Sequence, residues 1–253
     1  MPRRWGLANP QRRATGERVV DIDLNCDLGE GAGFDAELIP LITSANVACG
    51  AHAGDAVTAA ATLRLAARHG VQVGAHPGFF DRAHFGRREL ARSEQEVFDD
   101  VVYQVGALTA LARSVGATIR YIKPHGALYN MANRDATYAR PLVAVGELFG
   151  LPLLGLPGSV LEQLSTGRCG FVPEGFADRR YRADGSLVPR SEPGAIIDHP
   201  EEAVRQAIWL LGRGVRTICV HGDNPQAVTF VRELRSALTH HGVAIRPFTA
   251  PGG

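Results

Sequence analysis

Lysine is all but missing from this sequence: of 27 basic residues, Lys123 alone is lysine and the rest are arginine. An excess of either charge is missing too. The 27 basic residues face 26 acidic ones, a formal net charge of +1, so nothing marks the chain for nucleic acid or an anionic membrane surface. Cysteine occurs four times (Cys26, Cys49, Cys169, Cys219). No two have the close spacing of a zinc knuckle or redox pair and all lie in or beside apolar runs, so they read as buried, reduced thiols. No apolar stretch reaches the ~20 residues that cross a bilayer, and the N-terminus lacks the apolar segment of a secretory signal. These absences predict a cytoplasmic protein. A Walker phosphate loop, G-x-x-x-x-G-K-[ST], is excluded as well, because the lone lysine follows Ile122.

What is present is an alternation. The chain has 253 residues, 45% of them hydrophobic, enough for one large α/β domain. Short β-branched or apolar runs alternate with longer segments of helical period, the pattern of a parallel α/β fold. Seven candidate strands emerge: "VVDIDLN", "SANVACG", "VQVGAH", "TIRYIKP", "LPLLGLP", "CGFVPEG" and "TICVHGD". Ser93 and Glu96 predict a capping box, and Gly70, Gly116 and Gly214 stand where helices should end. Residues 176–198 break the rhythm. That segment is too polar and punctuated for a barrel helix, its Asp184-Gly185 reads as a hairpin turn, and it is expected to form a lid or excursion over the active face. The expected organisation is a flexible tail at 1–18, a single β/α-barrel domain at 19–248 and a flexible tail at 249–253.

Ionisable residues collect after the strands. Asn25, Asp27 and Glu30 follow the first, His52 and Asp55 the second, His76 the third, Lys123 and His125 the fourth. Glu174 and Asp178 follow the sixth, and His221, Asp223 and Asn224 the seventh. In a parallel barrel those ends converge on one mouth, where functional side chains gather. A single His or Asp after a strand is commonly a cap or a satisfied loop residue, and Asp55 reads as an N-cap. Capping does not favour histidine after four different strands, so the set reads as chemistry. Asp27, His76 and His125 make a candidate trio for a divalent metal; the same residues also suit general acid and base work without metal. "GEGAGF" is a weak match to a dinucleotide loop because Asp27 and Glu30 would repel a pyrophosphate. "GLPGS" (155–159) reads as a tight turn into a helix. Pro124 holds Lys123 extended at a strand end, where a compact ammonium whose pKa falls on burial could give a proton as well as bind an anion; the alternative is that arginine does not fit.

At "DIDLNCDLGE", "TSANVACGAHAGD", "GAHPGFFDRAHFGRR", "VVYQVGAL", "KPHGALYN", "FADRRYRADGSLVPRSEPGAII" and "CVHGDNP" the chain resembles the LamB/YcsF family. The resemblance implies a seven-stranded (β/α) barrel of the glycoside hydrolase/deacetylase type, TIM-barrel-like. It also implies ATP-dependent conversion of 5-oxo-L-proline to L-glutamate by a bacterial 5-oxoprolinase, with subunits B and C as partners and ATP as co-substrate. The loop after Glu30 is shorter than is usual in the family. On that reading Asp27, or a metal held by Asp27, His76 and His125, activates water, while His52 or His125 protonates the leaving nitrogen. Lys123 neutralises the developing oxyanion, and Arg179 or Arg190 clamps the substrate carboxylate. Asn25, Glu30, His221 and Asp223 complete the substrate-binding set. A homo-oligomer stays open. Two other expectations stand beside this one: a metal-dependent deacetylase acting on an N-acetyl sugar, and a non-catalytic scaffold that binds a lactam for its partners.

Overall fold

The computed structural model describes residues 20–222 and 226–249. The expected tail at 1–18 and the candidates Asp223 and Asn224 lie outside the described residues, as do residues 250–253 of the second tail. The seven expected strands are present: β1 (Val20–Leu28), β2 (Ser44–Ala48), β3 (Gln72–His76), β4 (Ile119–Ile122), β5 (Leu153–Gly155), β6 (Phe171–Phe176) and β7 (Thr217–His221). All run parallel, each pairs with the next, and β1 pairs with both β2 and β7, which closes the barrel. An unexpected eighth strand, β8 (Val243–Ile245), pairs parallel with the start of β1.

Eight helices join the strands among the described residues: α1 (Asp35–Leu38), α2 (Ala56–His69), α3 (Glu94–Ser114), α4 (Gly126–Arg134), α5 (Ala136–Phe149), α6 (Val160–Ser165), α7 (Pro200–Leu211) and α8 (Ala227–His240). Their ends follow local chemistry. Ser93 and Glu96 form the reciprocal capping box of α3, Asp55 caps α2, and Gly70 closes α2 in the left-handed conformation. In "GLPGS", Ser159 caps α6, so the segment is a turn. Among the described residues, no helix is long and apolar enough to cross a membrane.

Strand β1 shows how the barrel is filled. Side chains alternate across a strand, and in β1 Ile22, Leu24, Cys26 and Leu28 pack in the main hydrophobic core while Asp23, Asn25 and Asp27 are buried polar residues on the other face. The lumen is therefore polar toward its mouth and apolar at its floor, where Tyr121, Leu154, Val172 and Phe248 cluster. Tyr121 fits because position 74 is glycine: a Cβ there would lie 2.1 Å from the tyrosine ring.

The excursion after β6 is a folded hairpin. Arg179 bridges Ile196 and Tyr181 bridges Leu187, both antiparallel, with Gly185 N–H donating to the Arg182 carbonyl at the turn. Gln206 of α7 ties its base down by donating to the carbonyls of Phe176 and Arg179, each at 2.6 Å.

Candidate active site

The lone lysine lies below the mouth, not on its surface. Lys123 is 2% exposed, and its Nζ lies 2.9 Å from Asp27 Oδ1, 2.9 Å from Glu174 Oε1, 3.1 Å from Asn25 Oδ1 and 2.9 Å from Cys219 Sγ. Asn25 donates in turn to Glu174 Oε1 and Thr217 Oγ1, and Asn46 donates to both Asn25 and Asp27. Burial opposes the ammonium charge, but Asp27 and the other acidic partners outweigh it and hold the Lys123 pKa well above its usual range. The expectation of a lysine that releases a proton is thus reversed: this amine is a fixed cation joining strands β1, β6 and β7 to the end of β4. The ammonium also stands at 2.9 Å from two members of the Asp27, Cys219, His221 group, the place a metal there would need.

Asp27 links this interior to the mouth. Burial would raise its pKa, but His76 and Lys123 hold it well below the usual carboxylate range. Its Oδ2 lies 3.4 Å from His76 Nε2 and 3.9 Å from His221 Nε2.

Above Asp27 the structure brings Glu30, His52, His76 and His125 together. Glu30 Oε1 lies 3.1 Å from His52 Nε2, 3.4 Å from His125 Nδ1 and 3.8 Å from His76 Nε2. The rings of His52 and His125 stack with centroids 3.7 Å apart. His76 directs Nδ1 to the Lys123 carbonyl at 2.7 Å and His125 directs Nε2 to the Phe85 carbonyl at 2.9 Å. Burial lowers the pKa of His52, and burial together with His52 and His76 lowers that of His125 well below its usual value. For His76 burial is outweighed by Asp27, and its pKa is raised. The four residues offer donor atoms within 4.8 Å of one another, a group suited to a metal ion. This set shares His76 and His125 with the expected trio, while Asp27 Oδ1 is engaged by Asn46 and Lys123.

On the opposite wall, His221 receives what the sequence did not reveal. Its Nδ1 lies 2.6 Å from Asp178 Oδ2, and its backbone N–H donates to the same oxygen. A carboxylate that fixes Nδ1–H leaves Nε2 facing the mouth, the arrangement of an oriented acid or base. Burial opposes the Asp178 charge, but His221 and Arg190 lower its pKa. Arg179 is 7% exposed and donates from Nη2 to the Val188 carbonyl at 2.7 Å. Burial, then Arg190, pushes its pKa down to about 10. Arg190 is half-buried beside both.

Phe85 was also missed. It is the sole non-glycine residue with positive φ among the described residues, at 55°, a costly backbone state for an aromatic. Its ring packs edge-on against His52 and His125. No local sequence signal marks a phenylalanine for this role.

The LamB/YcsF family profile matches residues 22–252. The chain belongs to the LamB/YcsF family. A relative from Symbiobacterium thermophilum, named as the A subunit of 5-oxoprolinase, is 46% identical over 92% of this chain and 97% of its own length. Among solved structures, the lactam utilization protein from Thermus thermophilus matches with a TM-score of 0.83 and 43% identity, covering 90% of this chain and 100% of that one. A family 4 carbohydrate esterase from Streptomyces lividans matches at a TM-score of 0.52 and 11% identity over 91% of this chain and 93% of its own, a likeness of fold alone. The family's barrel is the one described above.

Proposed function

We propose that this chain is the lactam-opening component of an ATP-dependent 5-oxoprolinase, acting with subunits B and C to convert 5-oxo-L-proline to L-glutamate. The observation that carries the reading is the pairing, at one barrel mouth, of Asp27 with a carboxylate-oriented imidazole, His221, 3.9 Å away. Hydrolysing a C–N bond requires a base for water and an acid for the nitrogen. The relatives named as A subunits of 5-oxoprolinase, similar over nearly the whole chain, supply the substrate.

A lactam carbonyl is a poor electrophile. ATP is the co-substrate that activates it by phosphorylating the amide oxygen, and the lack of a Walker loop supports assigning that step to the partner subunits. In this chain Asp27 takes a proton from water as the water oxygen bonds to the activated ring carbon. As the C–N bond breaks, the added hydroxyl loses its proton and becomes a carbonyl while His221 Nε2 gives a proton to the ring nitrogen, leaving a γ-acyl phosphate. A second water releases the phosphoryl group as phosphate, leaving the free γ-carboxylate. The expected acids His52 and His125 are turned to Glu30, His76 and the Phe85 carbonyl, so the role moves to His221. Lys123 is a positioning residue that fixes Asp27. Arg179 and Arg190 bring positive charge for the substrate carboxylate, while Glu30 belongs to the histidine group and Asn25 to the interior network.

The test is glutamate formation from 5-oxoproline and ATP by this chain alone and mixed with purified subunits B and C. Activity is expected in the mixture only, and His221→Ala in the same mixture should lower it by about 100-fold or more. Acetate release from an N-acetyl sugar without ATP would replace this reading by the deacetylase one. Full activity of an Asp27→Asn, His221→Ala variant in the mixture would replace it by the scaffold.

A further inference from the structure

We propose that Glu30, His52, His76 and His125 bind one divalent transition cation of the zinc class. The inference deepens the ring-opening reading, since it concerns the same mouth, but it stands on hydrogen-bond chemistry that holds whatever the substrate is.

A backbone carbonyl only accepts. The Nδ1 of His76, 2.7 Å from the Lys123 carbonyl, therefore carries a proton, and so does the Nε2 of His125, 2.9 Å from the Phe85 carbonyl. In the neutral rings the remaining nitrogens, His76 Nε2 and His125 Nδ1, hold bare lone pairs, and these two atoms face each other at 2.9 Å. Two lone pairs at that distance repel unless something positive lies between them. That something is either a shared proton or a metal ion.

Three observations favour the metal. First, Glu30 Oε1 and His52 Nε2 converge on the same point, with four of the six separations at 2.9 to 3.8 Å and all within 4.8 Å. Four ligands at the usual 2.0–2.1 Å from a tetrahedral zinc stand about 3.3 Å apart, whereas a proton needs only two. Second, the carbonyls that fix His76 and His125 are the supporting partners that metal-bound imidazoles use to set tautomer and direction. Third, two carboxylates border the facing nitrogens: Asp27 Oδ2 lies 3.4 Å and Glu30 Oε1 3.8 Å from His76 Nε2, negative charge that favours a cation between them. The backbone is shaped to the imidazoles. A Cβ at Gly78 would lie 2.8 Å from His52 Nδ1, and one at Gly86 would lie 2.7 Å from His52 Cβ and 3.1 Å from His125 Cδ2. When bound, such an ion lowers the pKa of a coordinated water.

The experiment uses the full chain, tag removed, stripped with chelator and titrated with Co(II). One Co(II) per chain is expected, with the visible absorption of a low-symmetry ion and a rise in Tm. Glu30→Gln, His76→Ala and His125→Ala should each weaken binding by more than about 100-fold, beyond what loss of a supporting hydrogen bond costs. His221→Ala, outside the ligand set, should keep the stoichiometry. Should a ligand variant fail to fold, X-ray absorption at the metal edge of the wild-type complex decides by counting imidazoles, with three expected. No stoichiometric binding, or binding that survives the ligand substitutions but is lost with His221, would overturn the proposal. Co(II) binding with no glutamate formation alongside subunits B and C would leave it standing and remove the ring-opening reading; activity in metal-free protein without binding would do the reverse.

Discussion

Two polar regions share the lumen of this barrel, one above the other, and they are built on opposite terms. Around Lys123 the groups complement one another: an ammonium meets two carboxylates and an amide oxygen, and the amide nitrogens of Asn25 and Asn46 reach acceptors of the same network. Around Glu30 the groups compete: His76 and His125, their other nitrogens held by backbone carbonyls, turn acceptor atoms toward each other at 2.9 Å, beside His52 and a carboxylate. Both regions are buried, so burial does not separate them. Complementarity does. Opposite charges paired at close range hold the fold together, and ligand atoms that converge on one point are shaped to hold a cation.

The strongest way to break that contrast is to remove the cation from the complementary region. Lys123→Met leaves Asp27 and Glu174 buried without their counter-charge, and loss of one partner of a buried pair costs about 3–5 kcal/mol. Urea unfolding should register that loss, or the variant should fail to accumulate as folded protein. Lys123→Arg is expected to fare little better, because Nζ already has four neighbours at 2.9–3.1 Å and a guanidinium is larger. Wild-type stability in either variant would mean that the region is not the structural centre described here, and for the arginine variant that no amine is needed.

A somewhat smaller effect sharpens the comparison from below. Asp23 accepts hydrogen bonds from the hydroxyls of Thr43, Ser44 and Thr217. Burial pushes its pKa up to about 6 despite those bonds. The folded state therefore holds this proton more tightly than the unfolded chain, whose value is near 3.8. Asp23 costs nothing below about pH 4, destabilises progressively as pH rises through 4 to 6, and imposes a constant cost above that. The shift corresponds to roughly 3 kcal/mol. Unfolding of wild type and Asp23→Asn at pH 4, 5, 6 and 7 should show the variant gaining on the wild type by up to that amount. A pH-independent difference would place Asp23 with the fully compensated carboxylates.

How far all this was legible follows the range of the interactions. The seven strands, the capping box and the turn at Asp184-Gly185 are local, and hydrophobic period, side-chain caps and glycine conformations reveal them. The gathering of Asp27, His52, His76, Lys123, His125 and His221 was legible too, because strand ends of a parallel barrel converge regardless of detail. Strand β8, only Val243–Ile245, is too short to carry a period. Whether Lys123 would be a proton donor or a fixed cation depended on Asp27, 96 positions away along the chain, and on Glu174 from a strand further on. Its sign changed once both were found beside it. Phe85 needed the rings beneath it to explain its backbone.

Asp178 supplies the smallest expected effect and the finest test of what the mouth is for. It lies 43 residues from His221 in sequence, and nothing about a lone aspartate after β6 announces the pairing. If its carboxylate only fastened the hairpin base, Asp178→Asn would lower stability and leave turnover alone. If it orients His221, the amide should leave Tm nearly unchanged and lower kcat about tenfold, equivalent to ~1.4 kcal/mol of barrel-mouth chemistry, with KM unaffected because the imidazole acts on the leaving nitrogen and not on substrate binding. Asp178→Glu, which keeps the charge, should recover part of the rate. A fall in Tm with kcat intact would join the Asp178–His221 pair to the structural interior around Lys123 and leave the histidine group alone as the reactive part of the lumen.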